Sequence, residues 1–457
     1  MKKLLLKACV IGIFATTRLV AIDLPVFYRA PLFQGTPDWL VRDRASNFTI
    51  SYMAGSGSQA RNNDGSREEL LGVYGAVDIE RLGLYVENPG ATTASLWSDP
   101  SLAGGGAPMP EFNGSVVDAA DSPNGKVVYK GKINTYQVGL TFKQSIFSGL
   151  YGMVHAPIRH AKIYNVTHKN LGNPEVNGKN VEDFLNNDLP VVLKENGFDN
   201  INDQFSKTEV PEMLLALGWE GASALLFSKD LKYLRGFIQI GGLIPLSSRK
   251  REDTLIAIPL GYNSHWAIDA RTTAELGVFE KFSVGVGASA TIFFNEDRVV
   301  RLKTDMNQSG FAMMGKANTE VDQANLWHMF GYVKAEKVYQ GFSALVGYSY
   351  THKEKARLRV KDEKFLATYQ MQQAARMPDP FYISKDEIIN TDQRYKGWQT
   401  QVVHFWAEYD CKVHVAQNAW GPVVAFEYAL PIQSESKNAF SISMVGGTAS
   451  FHVGWVF

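Results

Sequence analysis

The feature that most constrains the fold of this chain is an apolar side chain at every second position, repeated in segment after segment. The clearest segment spans residues 403–415, where the apolar residues are Val403, Phe405, Ala407, Tyr409, Cys411, Val413 and Val415. The residues between them are largely polar, namely His404, Trp406, Glu408, Asp410, Lys412 and His414. A period of two places alternate side chains on opposite faces of a β-strand. The chain is therefore predicted to be all-β, with strands that are apolar on one face.

The connections between the predicted strands alternate between short and long. About fourteen strands are predicted from residue 47 to residue 457, with short turns near Glu80, Ser148, Asp230, Glu280, Gln340 and Gln417. The second and third predicted strands are Glu69 to Asp78 and Leu82 to Asn88, and a longer one is Pro259 to Phe279, with Leu260 and Tyr262 on its apolar face. The segments between these turns include long connections rich in Gly, Pro and Ser. An even number of strands returns both chain ends to the same side of a sheet. Without a turn at Ile79–Arg81, the strand count falls to twelve.

The two strand faces differ in a way that indicates a membrane. One face carries charges such as Asp269, Arg271 and Glu275, while the opposite face is apolar. Short turns on one side, long loops on the other and a polar interior are typical of transmembrane barrels. Aromatic residues flank the turns and predict an interfacial girdle: Phe142, Tyr151, Phe227, Tyr233, Phe279, Phe282, Tyr339, Phe342 and Trp420. These features predict a transmembrane, antiparallel, up-and-down β-barrel.

The end of the chain continues the period of two on its odd positions, at Phe451, Val453, Trp455 and Phe457. Upstream, the apolar residues Phe440, Ile442 and Met444 fall on even positions, and a β-bulge at Gly446–Gly447 is predicted to account for the change. The terminal segment resembles the C-terminal strand of Gram-negative outer-membrane β-barrel proteins. That resemblance implies recognition of these four residues by the barrel-assembly machinery, and a location in the outer membrane.

The N-terminal region predicts export. Residues 1–21 combine a positive start, a short apolar stretch and a cleavage site at Leu19–Ala21, as secretory signal peptides do. Residues 22–46 contain Pro25, Pro31 and Pro37 and are predicted to form an arm or plug, and residues 47–457 form the barrel. Removal of the signal leaves Cys411 alone, so no internal disulfide is expected. The net charge of zero gives no indication of nucleic-acid binding.

The polar strand faces predict a solute channel. Candidate pore-lining residues are His265, Asp269, Arg271, Glu275, His404, Glu408, Asp410, Lys412 and His414. Mixed charges at a constriction align dipolar solutes and select ions. Paired charges that only solvate the wall are the alternative interpretation. The expected partners are therefore outer-membrane lipid and small solutes, while the oligomeric state stays open.

Three other functions are weighed against the channel. The predicted strand number and N-terminal arm loosely resemble the outer-membrane fatty-acid transporter family, which implies an apolar pocket inside the barrel. Catalysis is not expected, because the sequence has no nucleophile-elbow motif. No cofactor or metal is expected either, since His155, His160 and His168 lack metal-ligand spacing on a regular element. Adhesion through the long loops, such as His160–Pro211, is the remaining alternative.

Overall fold

The computed structural model describes residues 45–62, 64–78, 126–171, 175–176, 179–180, 186, 190, 193–194, 198, 204–225, 230–249, 252–303, 313, 315–339, 341–363, 388–410, 422–432 and 439–454. The predicted signal peptide and nearly all of the predicted arm lie outside these residues, as do Lys412, His414, Trp455 and Phe457. For Phe451 and Val453 the backbone alone is described.

The described strands form a closed antiparallel barrel of twelve strands. They are β1 (Ala45–Gly57), β2 (Lys126–Phe147), β3 (Leu150–Asn170), β4 (Glu212–Ala224), β5 (Leu231–Pro245), β6 (Ala267–Val278), β7 (Phe282–Phe293), β8 (Leu326–Tyr339), β9 (Phe342–Lys353), β10 (Trp398–Asp410), β11 (Pro422–Pro431) and β12 (Ser443–Gly454). Each strand pairs with the next one along the chain, and β12 pairs with β1 to close the ring. The predicted all-β barrel is confirmed, with the smaller of the two predicted strand counts.

The short and long connections lie at opposite ends of the barrel. Ser148 and Gly149 join β2 to β3 with positive φ angles of 39° and 86°, as a two-residue type I′ hairpin requires. Short turns also follow β4, β6 and β8, near the predicted positions Asp230, Glu280 and Gln340. The register places Ala45 opposite Gly454, so both ends of the ring lie at the short-turn end. The predicted turns near Glu80 and Gln417 lie outside the described residues.

The predicted second strand, Glu69 to Asp78, is not a barrel strand. Residues Leu70–Tyr74 form a 3₁₀ helix, followed by the two-residue strand Val77–Asp78. Leu70 and Leu71 are both buried, and a strand cannot direct two successive side chains to the same face. The predicted third strand, which began at Leu82, lies outside the described residues.

The barrel is apolar outside and polar inside. Exposed side chains on its exterior include Phe48, Ile50, Leu140, Leu215, Leu217, Ile238, Ile240, Ile268, Val284, Val286, Val333, Val346, Phe405, Phe426 and Val445. Ile238, for example, is 64% exposed, whereas the neighbouring Gln239 is 5% exposed. Transfer of one such apolar side chain from water is worth roughly 1.5–3 kcal/mol. A belt of this size therefore favours hydrocarbon over water by an energy on the order of tens of kcal/mol.

Two of the predicted girdle aromatics point inward instead. Tyr151 is 3% exposed and its hydroxyl donates to Gln239 Oε1 at 3.1 Å, and the Tyr233 hydroxyl donates to Glu275 Oε1 at 3.0 Å. Their phenol groups have polar partners in the interior, so these residues do not belong to the girdle. Phe142, Phe279, Phe282, Tyr339 and Phe342 are exposed as predicted. Phe227 and Trp420 lie outside the described residues.

The predicted bulge at Gly446–Gly447 is wrong. β12 pairs with β1 in continuous register through both glycines, with Met53 opposite Gly446 and Tyr52 opposite Gly447. Phe440, Ile442 and Met444 are buried in an interior apolar cluster, while Val445 is 45% exposed on the exterior. The apolar residues change from even to odd positions along this segment because the barrel interior is itself apolar near the long-loop end.

The long connections build additional structure on the barrel. Strands Glu296–Leu302, Gly315–Asp322 and Arg357–Val360 form a three-stranded sheet with its own apolar core, which includes Val300, Leu358 and Ile389. Strand Phe205–Glu209 extends the wall by pairing with the outer half of β3. The connection from β5 to β6 contributes the buried residues Ile256, Ile258 and Leu260.

Candidate functional site in the barrel lumen

Three candidate pore-lining residues lie on the inner face of β6. Asp269 and Glu275 are 2% and 1% exposed, and they alternate with outward-facing residues such as Ile268 and Ala270. Arg271 lies between them on the same face, and its Nε donates to Asp269 Oδ1 at 2.5 Å. Asp269 also accepts a hydrogen bond from Thr291 Oγ1 at 3.0 Å. The three residues therefore share the inner wall and do not form one cluster.

Glu275 is the centre of a charged cluster near the short-turn end. Arg235 Nε donates to Glu275 Oε1 at 2.9 Å, and Tyr233 and Tyr332 also donate to this carboxylate. Arg235 forms a second ion pair with Glu336, which lies 3.5 Å from Lys334 Nζ. Each charge in this cluster has an opposite charge beside it, which offsets much of the cost of burial.

The candidates on β10 lie on the inner face four strands further round the ring. His404 is 2% exposed, with Nε2 at 2.7 Å from Ser349 Oγ and Nδ1 at 3.1 Å from Glu427 Oε1. Asp410 is near the short-turn rim, 3.5 Å from Lys337 Nζ, and Glu408 lies opposite Ser343. Lys412 and His414 lie outside the described residues.

His265 has a different position from the other candidates. The predicted strand began at Pro259, but β6 begins at Ala267, so His265 belongs to the connection before it. Its ring is 2% exposed, and Nδ1 lies 3.1 Å from the Phe294 carbonyl oxygen. His265 is therefore a residue of the long-loop end.

The register brings together inner-face residues that the sequence interpretation missed. Six inner-face residues lie directly opposite one another on neighbouring strands, in register with Arg271. We call them the central row: Gln239, Arg271, Ser289, His328, Thr351 and Thr400. The sequence carries a local signal for two of them. Gln239 lies between Ile238 and Ile240, and His328 lies between Trp327 and Met329. A polar residue between two apolar ones predicts an inner-face position.

An apolar layer lies next to the central row, toward the long-loop end. It contains the inner-face residues Leu214, Ala216, Leu243, Ala267, Phe293, Leu326 and Trp398, with Met153 and Tyr262 packed against them. Leu326 and Trp398 occupy the row directly beyond His328 and Thr400, and the same row also contains Asp269, Thr291 and Lys353. The apolar layer therefore begins among polar side chains.

The connection between β5 and β6 packs inside the barrel mouth at the long-loop end. Ile256, Ile258 and Leu260 belong to one buried cluster with inner-face wall residues such as Ile133 and Ile442. Arg159 on β3 donates from Nη1 to the Leu260 carbonyl oxygen at 2.9 Å, and its Nη2 lies 2.7 Å from Glu212 Oε1. Arg159 and Glu212 are about 95% buried. The hydrogen bond from Arg159 to Leu260 therefore holds the connection against the wall, while Glu212 balances the charge of the arginine.

Charged groups from two connections lie at the same end of the barrel. Arg394 Nη1 lies 3.2 Å from Glu252 Oε2, and Nη2 lies 3.0 Å from Asp392 Oδ2. Burial disfavours the charge on Arg394, but Asp392 and Glu252 outweigh that effect and raise its pKa. Burial, together with Glu252, raises the pKa of Tyr395 to about 12. The cavity that these groups line holds about 30 Å³, which is room for a few water molecules and not for a solute.

Neither a membrane-crossing helix nor a group of metal ligands occurs within the described residues. No helix among them is long and apolar enough to cross a membrane. Within the same residues, no three His, Cys, Asp or Glu side chains are grouped so that they could hold a metal ion.

Several known proteins resemble this chain in structure, but none of the comparisons assigns the chain to a family. No protein-family model matches the chain, and no curated protein matches its sequence. An outer membrane channel from Pseudomonas putida F1 has 10% identity and a TM-score of 0.45, over 92% of this chain and 99% of that one. A FadL homologue of Pseudomonas aeruginosa has 10% identity and a TM-score of 0.28, over 96% of this chain and 95% of that one. The NanC porin has 8% identity and a TM-score of 0.28, over 70% of this chain and 94% of that one. At these identities and TM-scores, the chain is not assigned to a family.

Proposed function

We propose that this protein is an outer-membrane channel that passes small solutes through its lumen. The observation that carries the proposal is the closed ring of twelve strands, with an apolar exterior and a charged interior. In hydrocarbon every backbone polar group needs an internal partner, and a closed barrel provides one. The proposal includes export by the signal peptide at residues 1–21 and assembly through the C-terminal strand. It assigns transport, and no chemical reaction, to the chain.

The exterior supports the membrane part of this proposal. Trp219, Phe279, Phe282, Tyr339, Phe342 and Tyr409 surround the short-turn end, and Trp266, Trp327 and Tyr348 lie toward the long-loop end. Aromatic residues with polar tips prefer the interface between hydrocarbon and water. Trp327 Nε1 donates to Glu354 Oε1 at 2.9 Å, so its polar edge has a partner on the long-loop side. Two aromatic girdles enclosing an apolar belt define a membrane-spanning zone.

The packing of this connection inside the mouth supports a gated channel and not a permanently open pore. The connection at residues 252–266 fills the long-loop end, and Arg159 bonds to it from the wall. Solutes cross when this connection leaves the mouth. The charged inner wall below it then provides a path of polar side chains toward the short-turn end.

Reconstitution into planar bilayers tests the channel. Purified, folded protein is expected to give discrete conductance steps in KCl, with long closed periods because the mouth is packed. Folding is checked independently by the difference in gel mobility between boiled and unboiled samples. A correctly folded preparation with no conductance at any voltage would contradict the channel.

Uptake of hydrophobic molecules is the second candidate, and the apolar layer favours it. A wholly polar lumen would count against this function, but Leu214, Leu243, Phe293 and Trp398 face the interior together. Liposome uptake of a neutral apolar solute such as benzene, without uptake of ions, would favour this candidate over the channel.

A further inference from the structure

We propose that the central row binds the carboxylate of a small amphipathic organic acid during its passage through the lumen. This inference rests on the proposed channel and names the class of solute. Three residues carry it: Gln239 on β5, Arg271 on β6 and His328 on β8. They occupy one row on the inner wall, according to the register of β5 to β8.

Three polar atoms of this row are buried without a hydrogen-bond partner, namely Gln239 Nε2, His328 Nε2 and Thr400 Oγ1. Gln239 and His328 are 5% and 3% exposed, and they lie on either side of Arg271 in the row. A buried donor without an acceptor costs about 1–3 kcal/mol. Two such groups in one row are therefore explained best by a ligand that they bind.

The known contacts of these side chains set the direction of the free atoms. The Tyr151 hydroxyl donates to Gln239 Oε1 at 3.1 Å, which identifies Nε2 as the remaining, donating atom. The Thr351 hydroxyl lies 2.7 Å from His328 Nδ1. When Thr351 donates this hydrogen bond, Nε2 carries the ring proton and is also a donor.

Arg271 provides positive charge between these two donors. Its Nε pairs with Asp269, yet its side chain remains 20% exposed, compared with 3% for Asp269. It is close enough to His155 and His328, on other parts of the wall, to interact electrostatically with both. The guanidinium therefore extends into the lumen beyond its ion pair. The nearby Glu275 does not compete for it, because that carboxylate is bound by Arg235 and two tyrosines.

The chemistry of the row identifies the ligand. Donors from an amide, an imidazole and a guanidinium bind an anion, and a guanidinium matches the planar geometry of a carboxylate. Leu326 and Trp398 lie in the next row, which also contains the ion-paired Asp269, and their apolar side chains would contact whatever is attached to that group. A carboxylate with an apolar body would use both the donors of the central row and these apolar side chains, whereas an inorganic anion would use the donors alone.

Benzoate and benzyl alcohol are the probes, because they share an apolar body and differ in the carboxylate. Calorimetric titration of the full-length protein in detergent is expected to show benzoate binding at least tenfold more tightly than benzyl alcohol. Gln239→Glu replaces an amide donor with a carboxylate of nearly the same size and of the same negative charge as benzoate. It is expected to weaken benzoate binding at least tenfold. Gln59→Glu, the same change at an exposed position of the long-loop end, is expected to leave binding unchanged.

Equal affinity for the two probes, or no benzoate binding by folded wild-type protein, would overturn the proposal. Undiminished binding by folded Gln239→Glu would also overturn it. The comparison of the two probes on the wild-type protein decides the matter if the variant does not fold. Conductance in KCl is measured on the same preparations, so that a missing channel is distinguished from a missing carboxylate site.

Discussion

At the scale of single residues, inner-face glycines allow tyrosines to reach across the wall. Gly285 lies directly opposite Tyr332, and a Cβ atom at Gly285 would overlap the tyrosine ring. Tyr332 therefore lies flat over β7 and donates its hydroxyl to Glu275 on β6. Tyr151 crosses Gly218 in the same way to reach Gln239. The polar contacts of the lumen depend on these glycines.

Gly285→Ala is expected to displace Tyr332 and to lower the free energy of unfolding by about 1–3 kcal/mol, the cost of leaving a buried polar group unsatisfied. Gly331→Ala is the matched control, because a Cβ there meets only ordinary contacts at 3.7 and 3.9 Å. Urea unfolding in lipid vesicles measures both variants. Equal stability of the two would show that the ring does not need the glycine.

Alternation predicted which side chains share the inner wall on β6 and β10, because that pattern is local. The partners of these side chains were not predictable from one sequence. Arg235 and Glu275 meet because β5 and β6 pair in one register, and a shift of one residue would separate them. For the same reason the central row was not visible before the register was known.

At the scale of elements, alternation shows that two faces differ without showing which face meets lipid. Leu260 and Tyr262 continued the pattern of β6, and Phe440 and Ile442 that of β12, so both pairs were predicted as strand exteriors. In the structure Leu260, Phe440 and Ile442 lie in the interior cluster, and Tyr262 packs against the apolar layer. The predicted strand boundaries were wrong where the barrel interior becomes apolar.

Arg159→Met is expected to open the mouth. The substitution leaves Glu212 buried without its partner, which costs about 3–5 kcal/mol, and removes the bond to the Leu260 carbonyl. Larger or longer openings in planar bilayers are expected, with faster hydrogen exchange at residues 255–260. Lys162→Met, an exposed change on the same strand, is the control. Wild-type conductance and exchange in Arg159→Met would show that Arg159 does not hold the connection.

At the scale of the whole molecule, the ring is defined by the pairing of its first and last strands. Ser51 on β1 lies opposite Thr448 on β12, on the inner face and beyond the two glycines where a bulge was predicted. The even strand number followed from the alternation of short and long connections. The count of twelve did not, because the segment near Leu70 mimics a strand in composition and folds as a 3₁₀ helix.

Cysteines at positions 51 and 448, in a background without Cys411, are expected to form a disulfide on mild oxidation. The boiled, oxidised chain should then differ in gel mobility from the reduced chain, because its two terminal strands are linked. Cysteines at positions 51 and 444 are the control, since Met444 lies opposite Gly55 and not opposite Ser51. Cross-linking of the control pair alone would contradict the register.

The adjacency of β1 and β12 also has a consequence for how the chain matures. Until β12 pairs with β1, β1 and the strand that formed most recently each expose a row of unpaired backbone groups. Such edges attract other strands and promote aggregation. A shortened chain that lacks β12 would therefore expose two unpaired strand edges. Such a chain is expected to associate with other copies through these edges unless proteases degrade it first.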